Sequence, residues 1–220
     1  MWVKLCGIRD VETARLAAEC GADAIGLNFF ARSPRYVAPE MARQIVEVLP
    51  PSVEAIGLFV NADVEQIESI AESCGLTTIQ LHGDEPPAFV ASLKERLPAA
   101  RVMRAFRVGE EGCGEVAEYL ASCGRLGAMP WRCLIDARVS GSYGGTGATA
   151  PWEIVALEYR SGEWPPLVLA GGLEAENVAA AIERVKPWGV DVSSGIESSP
   201  GVKNPERMRA FVRGAKRAIG

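Results

Sequence analysis

A single histidine, His82, is all the chain contains, and none of its six cysteines stands in a CxxC pair. Those two shortages exclude a Cys/His zinc set, whose ligands come at short fixed spacings. Cys6, Cys20, Cys74, Cys113, Cys123 and Cys133 are also too widely spread, in too long a chain, for a disulfide framework. No apolar run approaches the roughly 20 residues needed to span a bilayer. A strand pattern starting at residue 2 leaves no place for a signal peptide. Positive charge is scarce too: 23 Lys and Arg against 28 Asp and Glu leave a net charge of −5, with the bases scattered. These features argue against nucleic acid and membrane as partners. The expectation is a soluble cytoplasmic protein. No linker, low-complexity run or composition break divides it, so residues 1–220 are expected to form one domain.

What is present is a repeat. Glu19-Cys20-Gly21 followed by Ala22–Leu27, and Ser73-Cys74-Gly75 followed by Leu76–Leu81, give the same helix end, glycine cap and strand at the same spacing. Ser122-Cys123-Gly124 looks like a third such helix end, with glycine in the left-handed cap position. Cysteines in this setting are expected to be structural. The periodicity predicts strands near 2–6, 23–29, 53–60, 77–82, 101–106, 132–136, 166–170 and 189–193. Helices are predicted near 10–20, 39–48, 63–74, 85–96, 112–123, 151–158, 174–186 and 204–218. Strands alternating with helices in this number and length point to an α/β protein, a single closed (β/α)8 TIM barrel. An open doubly wound sheet is the alternative, since strand count does not prove closure. The glycine-rich stretch 107–131 reads as a decorated surface segment.

Barrels carry their reacting groups at the C-terminal tips of strands. Strand alternation puts Trp2, Lys4 and Cys6 on one face, with Cys6 at the tip. By the same parity Gln80 and His82, Leu134 and Asp136, and Asp191 and Ser193 point inward. Polar inward tips are informative, because a purely structural barrel fills its interior with branched apolar residues. Asp136, behind Leu134 and Ile135, is expected to have its pKa raised above the reference of about 3.9 and to serve as a proton donor. Cys6, with a depressed pKa, is expected to accept a proton as thiolate. An acid and a base on opposite walls suit proton transfer between neighbouring carbons. A helix cap, or an ion pair with Lys4, is the plainer role open to Asp136.

Three glycine loops follow the last strands: Gly144-Gly145-Thr146-Gly147, Ala170-Gly171-Gly172-Leu173 and Ser193-Ser194-Gly195. Glycine lets backbone N–H groups approach an anion, so Gly145, Gly147, Gly171, Gly172, Ser194 and Gly195 are candidate phosphate contacts. In Ser33-Pro34-Arg35-Tyr36, Arg35 can grip a carboxylate with two parallel hydrogen bonds. His82 and Asp191 are candidate pocket residues.

Taken together, Lys4–Ile8, Gly21–Gly26, Ser33–Val37, Gly57–Asn61, Gln80–Gly83, Leu134–Asp136, Gly144–Gly147, Leu169–Leu173 and Val190–Glu197 resemble the phosphoribosylanthranilate isomerase family over nearly the whole chain. That resemblance implies a single barrel with no cofactor and no metal, and a small phosphosugar as substrate. Association as a monomer or a homodimer stays open. The implied reaction is the Amadori rearrangement of N-(5-phosphoribosyl)anthranilate. Asp136 corresponds to the general acid, Cys6 to the general base, and Arg35 to the residue facing the anthranilate carboxylate. His82 and Asp191 correspond to pocket residues, and the glycine loops to the phosphate site. The chain departs from the family in carrying Ala150-Pro151-Trp152 where a Phe-Asp-Trp run is usual, and in the length of 107–131. Two other readings compete: a barrel aldolase with Lys4 forming a Schiff base, and a non-catalytic phosphosugar-binding barrel.

Overall fold

The computed structural model describes residues 1–137 and 150–218. Its strands are β1 (Trp2–Cys6), β2 (Ala24–Asn28), β3 (Glu54–Phe59), β4 (Thr78–Leu81), β5 (Arg101–Val108), β6 (Arg132–Ala137), β7 (Leu167–Leu169) and β8 (Gly189–Val192). Each pairs in parallel with the next and β8 pairs with β1, closing the barrel. Closure removes the open-sheet alternative. Around it lie α1 (Val11–Glu19), α2 (Pro39–Val48), α3 (Val64–Cys74), α4 (Pro87–Arg96), α5 (Gly114–Arg125), α6 (Trp152–Glu158), α7 (Val178–Val185) and α8 (Pro205–Arg217).

Local chemistry sets where these helices begin. The Asp10 side chain accepts the Thr13 N–H at 2.8 Å, and Asp63 accepts that of Gln66 at 2.7 Å. Each satisfies a donor that has no partner within the helix. Pro39, Pro87 and Pro205 occupy first-turn positions, where proline's missing N–H costs nothing. The main core lies between strands and helices and includes Ile25, Ile79, Ile135, Val190 and Phe211. A second apolar layer fills the barrel itself: Ala24, Ile56, Met103, Leu134 and Val168, with Trp2 and Trp131 packed against it. Above that plug the inward residues turn polar, and the C-terminal mouth becomes available for chemistry.

Three expectations need correcting, and one further element was not expected. At the third of the Cys-Gly pairs, Cys123-Gly124, the helix does not end. α5 continues to Arg125, and the left-handed residue is Gly127, at φ +62°, where the Ala128 N–H reaches back to the Cys123 carbonyl at 2.9 Å. Gly21 and Gly75 do take the left-handed conformation expected of them. The segment 107–131 is no decoration: β5 runs to Val108, and α5 buries Val116, Leu120 and Cys123 against the core. α7 starts at Val178 rather than 174, because Asn177 folds the preceding residues into a turn. Its Oδ1 accepts the Glu174 N–H and its Nδ2 donates to the Gly172 carbonyl, both at 2.9 Å. Finally, a small antiparallel ribbon, β9 (Glu197–Ser199) and β10 (Val202–Lys203), precedes α8. The Pro200-Gly201 turn signal marks it in the sequence.

At the Ala150-Pro151-Trp152 departure the helix survives. Pro151 takes the position before the first helical residue, and its carbonyl accepts the Val155 N–H at 3.0 Å. No described helix is long and apolar enough to cross a membrane.

Candidate active site

One cavity opens at the C-terminal mouth. Cys6, Arg35, His82, Asp136, Gly171, Gly172, Asp191 and Ser194 line it, together with Asn28, Leu58 and Ser193. The candidates read from strand parity and from the loops after β2, β7 and β8 therefore face a common space. Gly145 and Gly147 lie outside the described residues. Gly195 is not on the cavity wall: a Cβ there would come within 2.0 Å of the Leu173 carbonyl oxygen, so this glycine packs the last loop against the one before it.

Cys6, at the tip of β1, stands opposite Gly26 of β2 and faces the cavity. A Cβ on Gly26 would stand 2.6 Å from Cys6 Sγ and 3.1 Å from Lys4 Nζ, so the partner strand must carry glycine there. Burial pushes the Cys6 thiol above its ordinary value, with the cations of Lys4 and Lys203 pulling the other way. This corrects the expected depression: desolvation disfavours the thiolate more than two lysines favour it. The Ser193 hydroxyl donates to the Cys6 carbonyl at 3.1 Å and ties the tips of β1 and β8 together.

Lys4 does not pair with Asp136. Its Nζ meets Asp191 Oδ1 at 2.9 Å, and its side chain is wholly buried. Burial alone would lower the lysine's pKa, but Asp191 and Cys6 outweigh it and hold the ammonium form above its ordinary range. A Schiff-base lysine must be neutral to attack, so the arrangement runs against the aldolase reading. Asp136 sits on the facing wall. Its Oδ1 accepts the neighbouring Ala137 N–H at 2.8 Å, and its Oδ2 lies 3.4 Å from His82 Nε2. Gly171, at φ +84°, lets the loop after β7 lie against this acid: a Cβ would meet Asp136 Oδ1 at 3.0 Å and the Ala137 nitrogen at 2.6 Å.

Arg35 is buried rather than a surface arginine. Asn28 shapes its loop by accepting the Phe30 N–H at 2.9 Å and donating to the Ser33 hydroxyl at 3.1 Å, which in turn accepts the Arg35 N–H at 3.1 Å. The guanidinium does hold a carboxylate through two parallel bonds, that of Glu197. Lys203 Nζ adds a third contact to Glu197 at 2.7 Å and reaches the Ser193 carbonyl at 3.0 Å. Sequence reasoning missed both Glu197 and Lys203. The available signals were the Pro-Gly turn of their ribbon and, for Glu197, its place at the end of the Val190–Glu197 motif.

A parallel eight-stranded barrel, plugged below by apolar layers and lined at its C-terminal mouth by a thiol, a carboxylic acid and glycine loops, is the build of a (β/α)8-barrel enzyme. The profile of the N-(5'-phosphoribosyl)anthranilate (PRA) isomerase family matches residues 3–214. An N-(5'-phosphoribosyl)anthranilate isomerase of Citrifermentans bemidjiense is 44% identical over 216 residues, which cover 98% of this chain and 97% of that protein. The crystal structure of phosphoribosyl anthranilate isomerase from Thermotoga maritima superposes with a TM-score of 0.86 at 38% identity, covering 99% of each chain. Another such isomerase, solved with reduced 1-(o-carboxyphenylamino)-1-deoxyribulose 5-phosphate, gives 0.83 at 37% identity, again over 99% of each. The chain belongs to the PRA isomerase family.

Proposed function

We infer that this chain converts N-(5-phosphoribosyl)anthranilate to 1-(2-carboxyphenylamino)-1-deoxyribulose 5-phosphate, a step of tryptophan biosynthesis, by general acid–base catalysis. The observation that carries the reading is the placement of Cys6 and Asp136 on different walls of one cavity, in a chain of this family. Asp136 gives its proton to the ribose ring oxygen as the bond from C1 to that oxygen breaks, leaving an iminium. The Cys6 thiolate then removes the proton at C2, and the enolamine so formed takes a proton at C1 while its hydroxyl becomes the ketone. Hydrogen is moved within the molecule and none is gained or lost. Lys4 and Lys203 supply the positive field that a thiolate at Cys6 requires.

Arg35 is the group proposed to face the anthranilate carboxylate, and Gly171, Gly172 and Ser194 the phosphate. Gly145, Gly147 and Gly195 belong to the same proposed phosphate loops. His82 and Asp191 act as pocket residues, the latter by holding Lys4. A cytoplasmic location and a single domain over 1–220 are part of this proposal, on the strength of the family's place in biosynthesis. The test is direct. Purified chain should abolish the fluorescence of N-(5-phosphoribosyl)anthranilate and yield the ribulose phosphate; a chain that binds this substrate without turning it over would be a phosphosugar-binding barrel instead.

A further inference from the structure

Asp136 has a neighbour whose proton is placed from deeper in the barrel. Gln80 and His82 follow one another on the inward face of β4 and just beyond it; Gln80 is wholly buried and His82 is 6% exposed. Gln80 Nε2 lies 2.8 Å from His82 Nδ1. An amide NH₂ group can only donate, so Nδ1 accepts, and the proton of the neutral ring is on Nε2. That nitrogen lies 3.4 Å from Asp136 Oδ2 without the alignment of a formed hydrogen bond. Among the described residues neither His82 Nε2 nor Gln80 Oε1 has a hydrogen-bond partner. The reverse amide orientation would make Nδ1 the donor and leave on Nε2 a lone pair that repels the Asp136 carboxylate once its proton has been released. A buried donor kept short of its acceptor is costly in a resting protein and is therefore a pointer to function.

We propose that Gln80 is a positioning residue for the acid step: it holds His82 as the Nε2–H tautomer, so that this N–H meets the Asp136 carboxylate once Asp136 has released its proton. The proposal rests on the reading of Asp136 as the acid. When the proton passes from Asp136 to the ribose ring oxygen, the electron pair of the breaking C–O bond stays on that oxygen and Asp136 becomes a full carboxylate. The His82 N–H then closes to hydrogen-bonding distance. The imidazole keeps its proton throughout, and its contribution is an interaction stronger after the transfer than before it.

The chain has one histidine, so a sample labelled with ¹⁵N-histidine reports a single imidazole. Two-bond ¹H–¹⁵N correlation of the native protein, in mildly alkaline buffer, should show a protonated Nε2 and an unprotonated Nδ1. The opposite assignment, or two averaged nitrogens, overturns the proposal. Gln80→Met, similar in length but unable to donate, should average the two nitrogens. It should also lower kcat about ten- to a hundredfold, the scale of one hydrogen bond to an ionised group, with little change in KM. Gln80→Glu, which can only accept at neutral pH, should put a proton on Nδ1 and lower kcat similarly. An unchanged kcat in a folded variant whose ring nitrogens have shifted would remove the positioning role. The native spectrum needs neither variant nor substrate, so it can fail while the assignment of Asp136 as acid stands, and the converse.

Discussion

Arg35 and Glu197, 162 residues apart in sequence, meet fork to carboxylate, with Nε–Oε1 and Nη2–Oε2 both at 2.8 Å. Burial alone would raise the Glu197 carboxyl, but Arg35 and Lys203 outweigh it and hold it below its ordinary value of 4.5. The folded protein therefore binds fewer protons here than the unfolded chain. The stability this contributes is present above pH 4.5 and is lost as pH falls through the lower folded value. Glu197→Gln should lose about 3–5 kcal/mol at neutral pH, the usual scale when one partner of a buried pair is removed. Its acid limb should also be flatter. Urea midpoints measured across the acid range check both; parallel limbs in the two proteins would contradict the account.

On the cavity side, Arg35→Ala should raise KM about tenfold or more with kcat nearly unchanged, because an anchoring contact acts alike in ground and transition states. Steady-state kinetics decide it. No change in either constant would end the assignment of Arg35 to the substrate carboxylate.

Within the barrel, Asp191→Asn leaves the fully buried Lys4 without its counter-charge. The expected loss is again about 3–5 kcal/mol in urea unfolding. Adding Lys4→Met should recover much of it, since the pair is coupled and an apolar chain of similar length suits the site. A double variant no better than the single one would mean that Lys4 is held by something other than Asp191.

The pH dependence of activity follows from the thiol. Cys6 lies above its ordinary value of 9.0 because burial outweighs the pull of Lys4 and Lys203. A base works deprotonated, so kcat/KM should keep rising through pH 9.0 rather than level off near neutrality. Lys203→Met removes one cation and should move that limb further up. A limb centred below 9.0 in the native chain would place the base elsewhere or require a stronger cationic field than the two lysines give.

Much of this was legible in the sequence because it is local. Asp10 and Asp63 announce their helices, and parity alone turns Cys6, His82, Asp136 and Asp191 inward. What could not be read depends on closure. Parity sends Lys4 inward without saying whether Asp136 or Asp191 receives it; pairing β1 with β8 sets Lys4 opposite Asp191 in register. Arg35 and Glu197 likewise meet only after the chain has gone round the barrel. The balance at Cys6 is also a tertiary quantity, a contest between desolvation and lysines brought from both ends of the chain. Gly124 misled for a different reason: Gly127 follows three residues later, and either glycine satisfies the sequence rule for a helix end.

The most direct test of the acid–base pair is kcat for N-(5-phosphoribosyl)anthranilate in the native chain beside Asp136→Asn and Cys6→Ala, with circular dichroism to establish that each barrel is folded. The account predicts turnover by the native protein and a fall in each variant of about 10²–10⁴-fold or more, the scale of a single acid or base. Undiminished turnover in either folded variant would contradict it.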